Sequence, residues 1–167
     1  MIATARPRNR QKDTAVIEAF NVGDMGDGYC GSLTKPVIVT LSGLSDLFCK
    51  SYAVNQKAAA AGIPGVLFGR YEGDSYDGGN PWVLLTASVA TLLYRQAQEF
   101  PTTLMGSEVT VQNLVGAGDA LLLLMKKYLT NGMHMNEQID RNDGSLKSAK
   151  DCVLPTIESP LLILARK

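Results

Sequence analysis

The chain has 167 residues, a length typical of one domain, and 46% of them are hydrophobic while 19% are charged. Its formal net charge is zero, so it lacks the basic surplus of proteins that bind nucleic acid or anionic membranes. The apolar run of four leucines and a methionine at residues 121–125 is far shorter than a membrane span. We therefore expect a globular protein with no nucleic-acid and no membrane partner.

The N-terminal segment, residues 1–10, is polar and basic, and we expect it to be disordered or poorly tethered. No apolar stretch follows these basic residues, so we do not expect a secretory signal peptide here. A short helix is predicted from Asp13, which can cap it, to Phe20. The glycine-rich stretch 23–31 is predicted to be a loop with too few acidic ligands to bind calcium.

The three cysteines, Cys30, Cys49 and Cys152, are widely spaced and do not have the spacing of metal ligands. One disulfide with a free thiol and three free thiols are both compatible with the sequence. The disulfide state is therefore left open.

A second helix is predicted from an apolar face with helical spacing, formed by Val37, Leu41, Leu44 and Phe48. Val37–Thr40 alone is typical of a strand, but the longer period favours a helix. An alanine-rich segment at 58–61 follows, and the glycines and proline of residues 62–65 end it before the next loop.

The stretch 69–82 combines glycines with an arginine, aspartates, tyrosines and the only tryptophan of the chain. The glycines predict a shaped loop, and Asn80-Pro81 predicts a helix start because asparagine is a favoured N-cap and proline a favoured first helical residue. Arginine and aspartate can hydrogen-bond sugar hydroxyls, and tyrosine and tryptophan can cover the C–H face of a pyranose. An ordinary surface loop with a helix cap has the same composition, so both interpretations stay open at this point.

The clearest helix is predicted from Pro81 to Gln98, where leucines and valines form one apolar stripe. A looser segment that includes Gly116 precedes another strong helix from Ala117 to Thr130, which residues 131–132 end. The loop 133–145 contains no calcium-binding spacing, and Asp143-Gly144 within it predicts a tight turn. Because no strand pattern is convincing, the predicted fold class is all-α.

Two motifs resemble fungal-type glucoamylases, the glycoside hydrolases of family 15 type that release glucose from starch ends. Residues 69–82 read GRYEGDSYDGGNPW, which is similar to the family's GRYPEDTY…GNPW segment. Residues 136–151 read NEQIDRNDGSLKSAKD, which is similar to its SEQ(F/Y)DKSDGEQLSARDL segment. A weaker match, KDTA at residues 12–15, precedes them in the family's order and with similar spacing. The resemblance covers the chain from about Arg10 to Asp151.

This resemblance implies part of an (α/α)6 toroid, the six-hairpin glycosidase-like fold, of which this chain supplies only the later helices. Residues 11–151 are then the C-terminal portion of a glucoamylase-like catalytic domain. Residues 152–167 form a divergent tail, where the family continues into an inner helix but Pro155 and Pro160 would break one; a frameshift or an incorrect splice fits this change. A partial toroid exposes inner-helix faces, so self-association through them is also expected.

The resemblance makes Glu137 the general base of an inverting enzyme and places Arg70, Tyr71, Asp74, Tyr76 and Trp82 at the glucose subsites. Asp74 is the one expected to orient Arg70 or the loop. The implied substrate is an α-glucan or malto-oligosaccharide, with no cofactor and no metal, and the implied location is outside the cell.

The catalytic acid that inversion also requires belongs to an earlier, acidic motif of the family, which nothing in this chain matches. In addition, Glu72-Gly73 replaces the family's Pro-Glu, which leaves the fine geometry of the pocket open.

Three interpretations remain: a glucoamylase-type hydrolase present as a fragment, an inactive sugar-binding remnant, and a helical scaffold without catalysis. Without the resemblance, Glu137 is an ordinary loop glutamate. Binding of maltose or acarbose without turnover would favour the second interpretation, and no carbohydrate binding would favour the third. For the first, we predict that Arg70, Tyr76, Trp82 and Glu137 surround one concavity.

Overall fold

The computed structural model describes residues 12–23, 31–101, 110–128 and 135–148. In these ranges the chain is mostly helical, as the all-α prediction requires. The elements are α1 (Val16–Val22), α2 (Lys35–Ser51), α3 (Ala53–Ala60), α4 (Val83–Glu99), α5 (Val111–Lys127), β1 (Gln138–Ile139) and β2 (Leu146–Lys147). The predictions for residues 1–10, 24–30, 131–132 and 152–167 lie outside the described residues.

The first helix, α1, begins three residues later than the sequence suggests. Asp13 does not cap it; its carboxylate instead accepts a hydrogen bond from the backbone N–H of Ala15, 2.9 Å away, in the turn before the helix. The apolar residues Ile17 and Phe20 are buried, which explains why the apolar spacing was informative although the cap was not.

Helix α2 forms where its apolar period predicts it. Val37, Leu44 and Phe48 are buried, and Leu41 packs against them at the edge of the core. Tyr52 separates α2 from α3, and the two helices meet at 91°. The longer helical period therefore outweighed the strand-like character of residues 37–40.

Helix α4 begins at Val83, and Trp82 rather than Asn80 occupies its N-cap position. The predicted Asn80 cap is wrong because the Asn80 side chain makes hydrogen bonds to neighbouring loops instead. The Pro81 carbonyl is also used elsewhere, since it accepts a hydrogen bond from Ile139 N at 3.1 Å. Tertiary hydrogen bonds therefore occupy the Asn80 side chain and the Pro81 carbonyl, which the sequence prediction assigned to the start of the helix.

Helix α5 is longer than predicted at its N-terminal end and includes Gly116. Thr110 forms a capping box with Asn113: the threonine hydroxyl oxygen accepts from Asn113 N, and the asparagine carbonyl oxygen accepts from Thr110 N, both at 3.2 Å. This box has asparagine at the position where glutamate or glutamine is usual. For that reason the sequence did not predict that the helix begins here.

Helices α4 and α5 make the most extensive helix–helix contact, and all five described helices, residues 67–68 and Ile139 contribute to one core. Its largest fully buried members are Phe48, Phe68, Ile17, Leu44, Leu67, Leu92, Leu124 and Ile139. Thr86 is a buried polar residue of α4; its hydroxyl accepts from Phe68 N at 2.9 Å and donates to Trp82 O at 3.0 Å. This one side chain holds both ends of the 69–82 loop against α4.

The described part of the C-terminal region contains a small hairpin that the sequence did not predict. Gln138 pairs with Lys147 and Ile139 with Leu146 in antiparallel register. Gly144 at the turn has a positive φ of 82°, and its N–H donates to Asp140 O at 3.1 Å, which fits the predicted Asp143-Gly144 turn. Two-residue strands are too short to produce an alternating pattern in the sequence.

No single helix among the described residues is both long and apolar enough to cross a membrane, although the bent pair of α2 and α3 together meets that test of length and composition. Cys49 is a free, partly buried thiol. Cys30 and Cys152 lie outside the described residues.

Candidate active site

The loop 69–82 is anchored at both ends by backbone contacts. Trp82 N donates to Phe68 O at 2.8 Å, and Thr14 N donates to Arg70 O at 2.7 Å. Gly69 lies against the Tyr52 hydroxyl so closely that a Cβ atom would overlap it. A side chain at this position would displace the buried Tyr52, so the close approach of the loop to α2 requires glycine.

Arg70 and Asp74 form a bidentate ion pair inside the loop. Arg70 Nε lies 2.8 Å from Asp74 Oδ2, and Arg70 Nη2 lies 2.6 Å from Asp74 Oδ1. The Asp74 side chain is only 2% exposed, and its carboxylate also accepts from Tyr76 N at 3.0 Å. The hydrogen bond to Arg70 lowers the pKa of Asp74, and the same bond raises the pKa of Arg70. Asp74 thus serves mainly to hold Arg70.

Three aromatic rings surround the Arg70 guanidinium and form with it an aromatic–arginine cluster. The guanidinium carbon lies 4.7 Å from the ring centroid of Tyr76, 5.3 Å from that of Tyr71 and 5.4 Å from that of Trp82. The Tyr76 and Trp82 rings lie 6.2 Å apart, and Tyr76 is 57% exposed. Arg70 therefore lies against one side of each ring, and Tyr76 carries the cluster to the surface.

The hairpin places Glu137 beside this cluster through backbone hydrogen bonds. Val83 N donates to Glu137 O at 3.0 Å, and Ile139 N donates to Pro81 O at 3.1 Å. Trp82 and Gln138 face each other as an antiparallel bridge. Glu137 is partly buried, and its Oε2 accepts a hydrogen bond from the Ser148 hydroxyl at 3.0 Å.

The structure therefore brings the predicted site residues together from two motifs. The first motif contributes one connected group, formed by Arg70, Tyr71, Asp74, Tyr76 and Trp82. The backbone carbonyl of Glu137, from the second motif, accepts a hydrogen bond from the N–H of Val83, the residue after Trp82. Trp82 Nε1 and Gln138 Nε2 are buried and have no hydrogen-bond partner among the described residues.

Behind the loop, a cavity of about 280 Å³ separates it from the end of α2. Arg141 lies across this cavity: its guanidinium carbon is 5.2 Å from the Tyr52 ring centroid, and its Nη2 donates to Ser51 O at 2.9 Å. Burial raises the pKa of Tyr52, so its phenol stays neutral. In the described ranges no three acidic, histidine or cysteine side chains are grouped so that they could hold a metal ion.

A comparison with protein families gives one match that spans nearly the whole chain. The sequence model of glycosyl hydrolases family 15 matches residues 3–157. The chain belongs to this family. The matched range is wider at both ends than the stretch from Arg10 to Asp151 that the motifs cover.

Individual family 15 relatives agree with this assignment. The chain is 28% identical to a glucoamylase of Blastobotrys adeninivorans over 87% of this chain and 30% of that protein. It is similar to the structure of Hormoconis resinae glucoamylase, with 25% identity, a TM-score of 0.68, and coverage of 86% of this chain and 30% of that one.

Saccharomycopsis fibuligera glucoamylase has the same fold, with a TM-score of 0.68 at 22% identity over 83% of this chain and 37% of that one. The described helices therefore form part of the glucoamylase (α/α)6 fold, as expected. The chain spans about 30% of the length of the curated relatives it matches.

The family 15 motifs also contain two residues of the site that sequence reasoning did not assign to it. Ser148 lies within the second motif, eleven residues after Glu137, and reaches its carboxylate. Asn80 lies within the first motif, but its side chain turns toward the second. A hydroxyl or amide in a matched motif was the available signal, yet only the fold shows what these groups contact.

Proposed function

We propose that this chain carries the general-base and sugar-binding side of an inverting glucoamylase-type site for the non-reducing ends of starch and related α-glucans. One observation carries the proposal. The hydrogen bonds that join the hairpin to the start of α4 put Glu137 next to the aromatic–arginine cluster, although the two motifs are far apart in the chain. The relatives of this chain are glucoamylases, which supports the substrate class. Action outside the cell is part of the same proposal and follows from the resemblance to that family.

In this proposal Glu137 acts as the base. Its carboxylate takes a proton from a water molecule as the water oxygen attacks the anomeric carbon, and a separate acid protonates the leaving glycosidic oxygen. The Ser148 hydroxyl donates to Oε2 and so fixes the plane of the carboxylate. The carboxylate can then present its other oxygen to the water in a constant direction.

The cluster binds the terminal glucose. Arg70 uses two of its N–H groups on Asp74, and its planar guanidinium has further donors for sugar hydroxyls. Tyr76 is the most exposed ring of the cluster and offers both an apolar face and a hydroxyl. The rings of Tyr71 and Trp82 each contact the Arg70 guanidinium and line the same glucose-binding position.

A second candidate function is sugar binding without catalysis. The observation that favours it is the absence from this sequence of a match to the family's acidic motif, in a chain that spans about 30% of its relatives. Base and acid must act together in an inverting enzyme, and loss of either typically costs about 10²–10⁴-fold in rate.

The test compares three proteins by glucose release from maltose and starch. The 167-residue chain should release none above background. A longer protein, in which an upstream family 15 half is supplied and the tail after Asp151 is restored, should be active. Glu137→Gln in that longer protein should lose about 10²–10⁴-fold in rate but keep its acarbose affinity, because the amide keeps the shape of the carboxylate.

Each outcome decides between the candidates. Robust glucose release by the short chain, or an unaffected Glu137→Gln enzyme, would contradict the proposed mechanism. Acarbose binding by a longer protein that never turns over would favour the inactive sugar-binding alternative. No carbohydrate binding by either protein would leave only a helical scaffold.

A further inference from the structure

Asn80 lies between the two motifs and is hydrogen-bonded to both. Its side-chain amide nitrogen donates to Asp77 O at 2.7 Å, within the loop that carries Tyr76. The same nitrogen donates to Gln138 Oε1 at 3.3 Å, and its carbonyl oxygen accepts from Arg141 N at 3.1 Å, both in the hairpin that carries Glu137. Asn80 is 3% exposed.

These contacts need a carboxamide. A single side chain has to donate to two acceptors and accept from one backbone N–H, and asparagine provides both functions at this length. The backbone bonds of Val83 and Ile139 fix the pairing of the hairpin with the start of α4 but do not touch the 3-10 turn at Tyr76–Gly78. Asn80 alone among the described side chains bonds to this turn and to the hairpin together.

We infer that Asn80 is a positioning residue for catalysis, which sets where Glu137 lies relative to Tyr76 and Arg70. This inference rests on the proposed function, because it gives Asn80 its role through Glu137. The mechanism is geometric: an inverting base must hold its water at a fixed distance from the bound sugar, and a misplacement of about 1 Å can cost 10²-fold in rate. Asn80 joins the sugar-binding loop and the base-carrying hairpin into one unit.

Asn55 provides a matched control for a purely structural buried asparagine. It is 1% exposed and also makes three hydrogen bonds: its amide nitrogen donates to Phe48 O at 3.0 Å and Leu67 O at 2.9 Å, and its carbonyl oxygen accepts from Leu67 N at 2.9 Å. None of these partners belongs to the candidate site. The two asparagines therefore differ in place and not in burial or in number of bonds.

The first measurement is amide hydrogen exchange by NMR on the 167-residue chain. Asn80→Ala should lower the protection of the Val83 and Ile139 amides by about tenfold or more relative to Leu124 of α5, because these two amides bridge the motifs and open locally once Asn80 is lost. Asn55→Ala should lower all three together through global stability. Equal behaviour of the two variants would overturn the inference.

The second measurement is acarbose affinity, followed by the fluorescence of Trp82, the only tryptophan. Asn80→Ala should bind acarbose about tenfold more weakly than Asn55→Ala, because binding needs the loop and the hairpin in one arrangement. Equal affinities would overturn the inference. No acarbose binding by the unmodified chain would instead count against the proposed function, and amide exchange would then decide the role of Asn80.

Asn80→Asp keeps the test valid if the alanine variant does not fold. Aspartate keeps the size of the side chain and an acceptor for Arg141 N, but when ionised it cannot donate to Asp77 O or Gln138 Oε1. Its Val83 and Ile139 amides should lose protection at neutral pH relative to Leu124. Protection equal to that of the unmodified chain would overturn the inference.

Discussion

Asp74 holds the Arg70 guanidinium in place through two hydrogen bonds. Its folded pKa is lowered, so its contribution to stability is present above the ordinary carboxyl pKa and is lost as the pH falls through the lowered value. We predict that Asp74→Asn is destabilised relative to the unmodified chain at neutral pH, and that the difference in unfolding free energy shrinks below about pH 4. Urea unfolding at a series of pH values measures it.

The control for this prediction is Asp46→Asn, since Asp46 is exposed on α2. It should change the unfolding free energy by less than about 0.5 kcal/mol. A difference for Asp74→Asn that is independent of pH would mean that lost packing, and not the ion pair, causes the destabilisation.

Gly79 has a positive φ of 65°, and a Cβ atom there would overlap the backbone carbonyl oxygen of Asp74. Gly73 has a φ of 79° but has open space around it. We predict that Gly73→Ala costs about 1–2 kcal/mol from backbone strain alone, and that Gly79→Ala costs more because the loop must move. Urea unfolding compares the two; equal losses would show that the contact with Asp74 is unimportant.

At the level of single residues, composition predicted a shaped loop around Arg70, and the glycines explain why. The prediction of an N-cap at Asn80 failed, because the N-cap rule considers only the next few residues. The partners that decided the outcome, Gln138 and Arg141, are distant in sequence. A local rule cannot include them.

Among the elements, α4 begins directly after Trp82 and holds the loop through Thr86, and its two sides differ sharply. Leu92 is fully buried, whereas Leu84 is 66% exposed on the same helix. We predict that Leu92→Ala destabilises the chain by about 2–5 kcal/mol through a core cavity, and that Leu84→Ala changes stability by less than about 0.5 kcal/mol. Thermal or urea unfolding measures both, and similar losses would contradict this assignment of the buried face.

The helices were predictable where one strong apolar period ran through them, as in α2 and α4. Boundaries were less predictable, because Thr110 and Asn113 begin α5 with an unusual capping box. The hairpin was missed since its strands have two residues each, too few to show an alternating pattern. Its further bridge, between Gln138 and Trp82, joins residues that are distant in sequence.

For the molecule as a whole, several large apolar side chains remain exposed on the helices. They include Ile38 and Val39 of α2, Leu84 of α4, and Leu122 and Leu123 of α5. The formal net charge is zero, so no long-range repulsion opposes contact between copies. We predict concentration-dependent self-association that Leu123→Lys weakens, measured by analytical ultracentrifugation.

Gln112→Lys is the matched control, because it adds the same charge on an exposed polar position of α5. It should reduce association much less than Leu123→Lys. If both variants reduce it equally, net charge and not the apolar face governs the association.

At this scale the sequence supported the family and part of its fold, because the motif order is specific. It did not show how the two motifs meet. The contact between the motifs depends on the hydrogen bonds from Val83 N to Glu137 O and from Ile139 N to Pro81 O. These are backbone contacts, which the residue types in the sequence do not predict.

The junction between the loop and the hairpin also has a consequence for folding kinetics. Asn80 and Gln138 are 58 residues apart, so their contact closes a long loop and gains little until the intervening helices have packed. We expect α4 and α5 to associate first and the junction to close last. A population with full helical content can therefore still lack the place where Glu137 and Trp82 meet, and a refolding experiment should show circular dichroism recovering before Trp82 fluorescence.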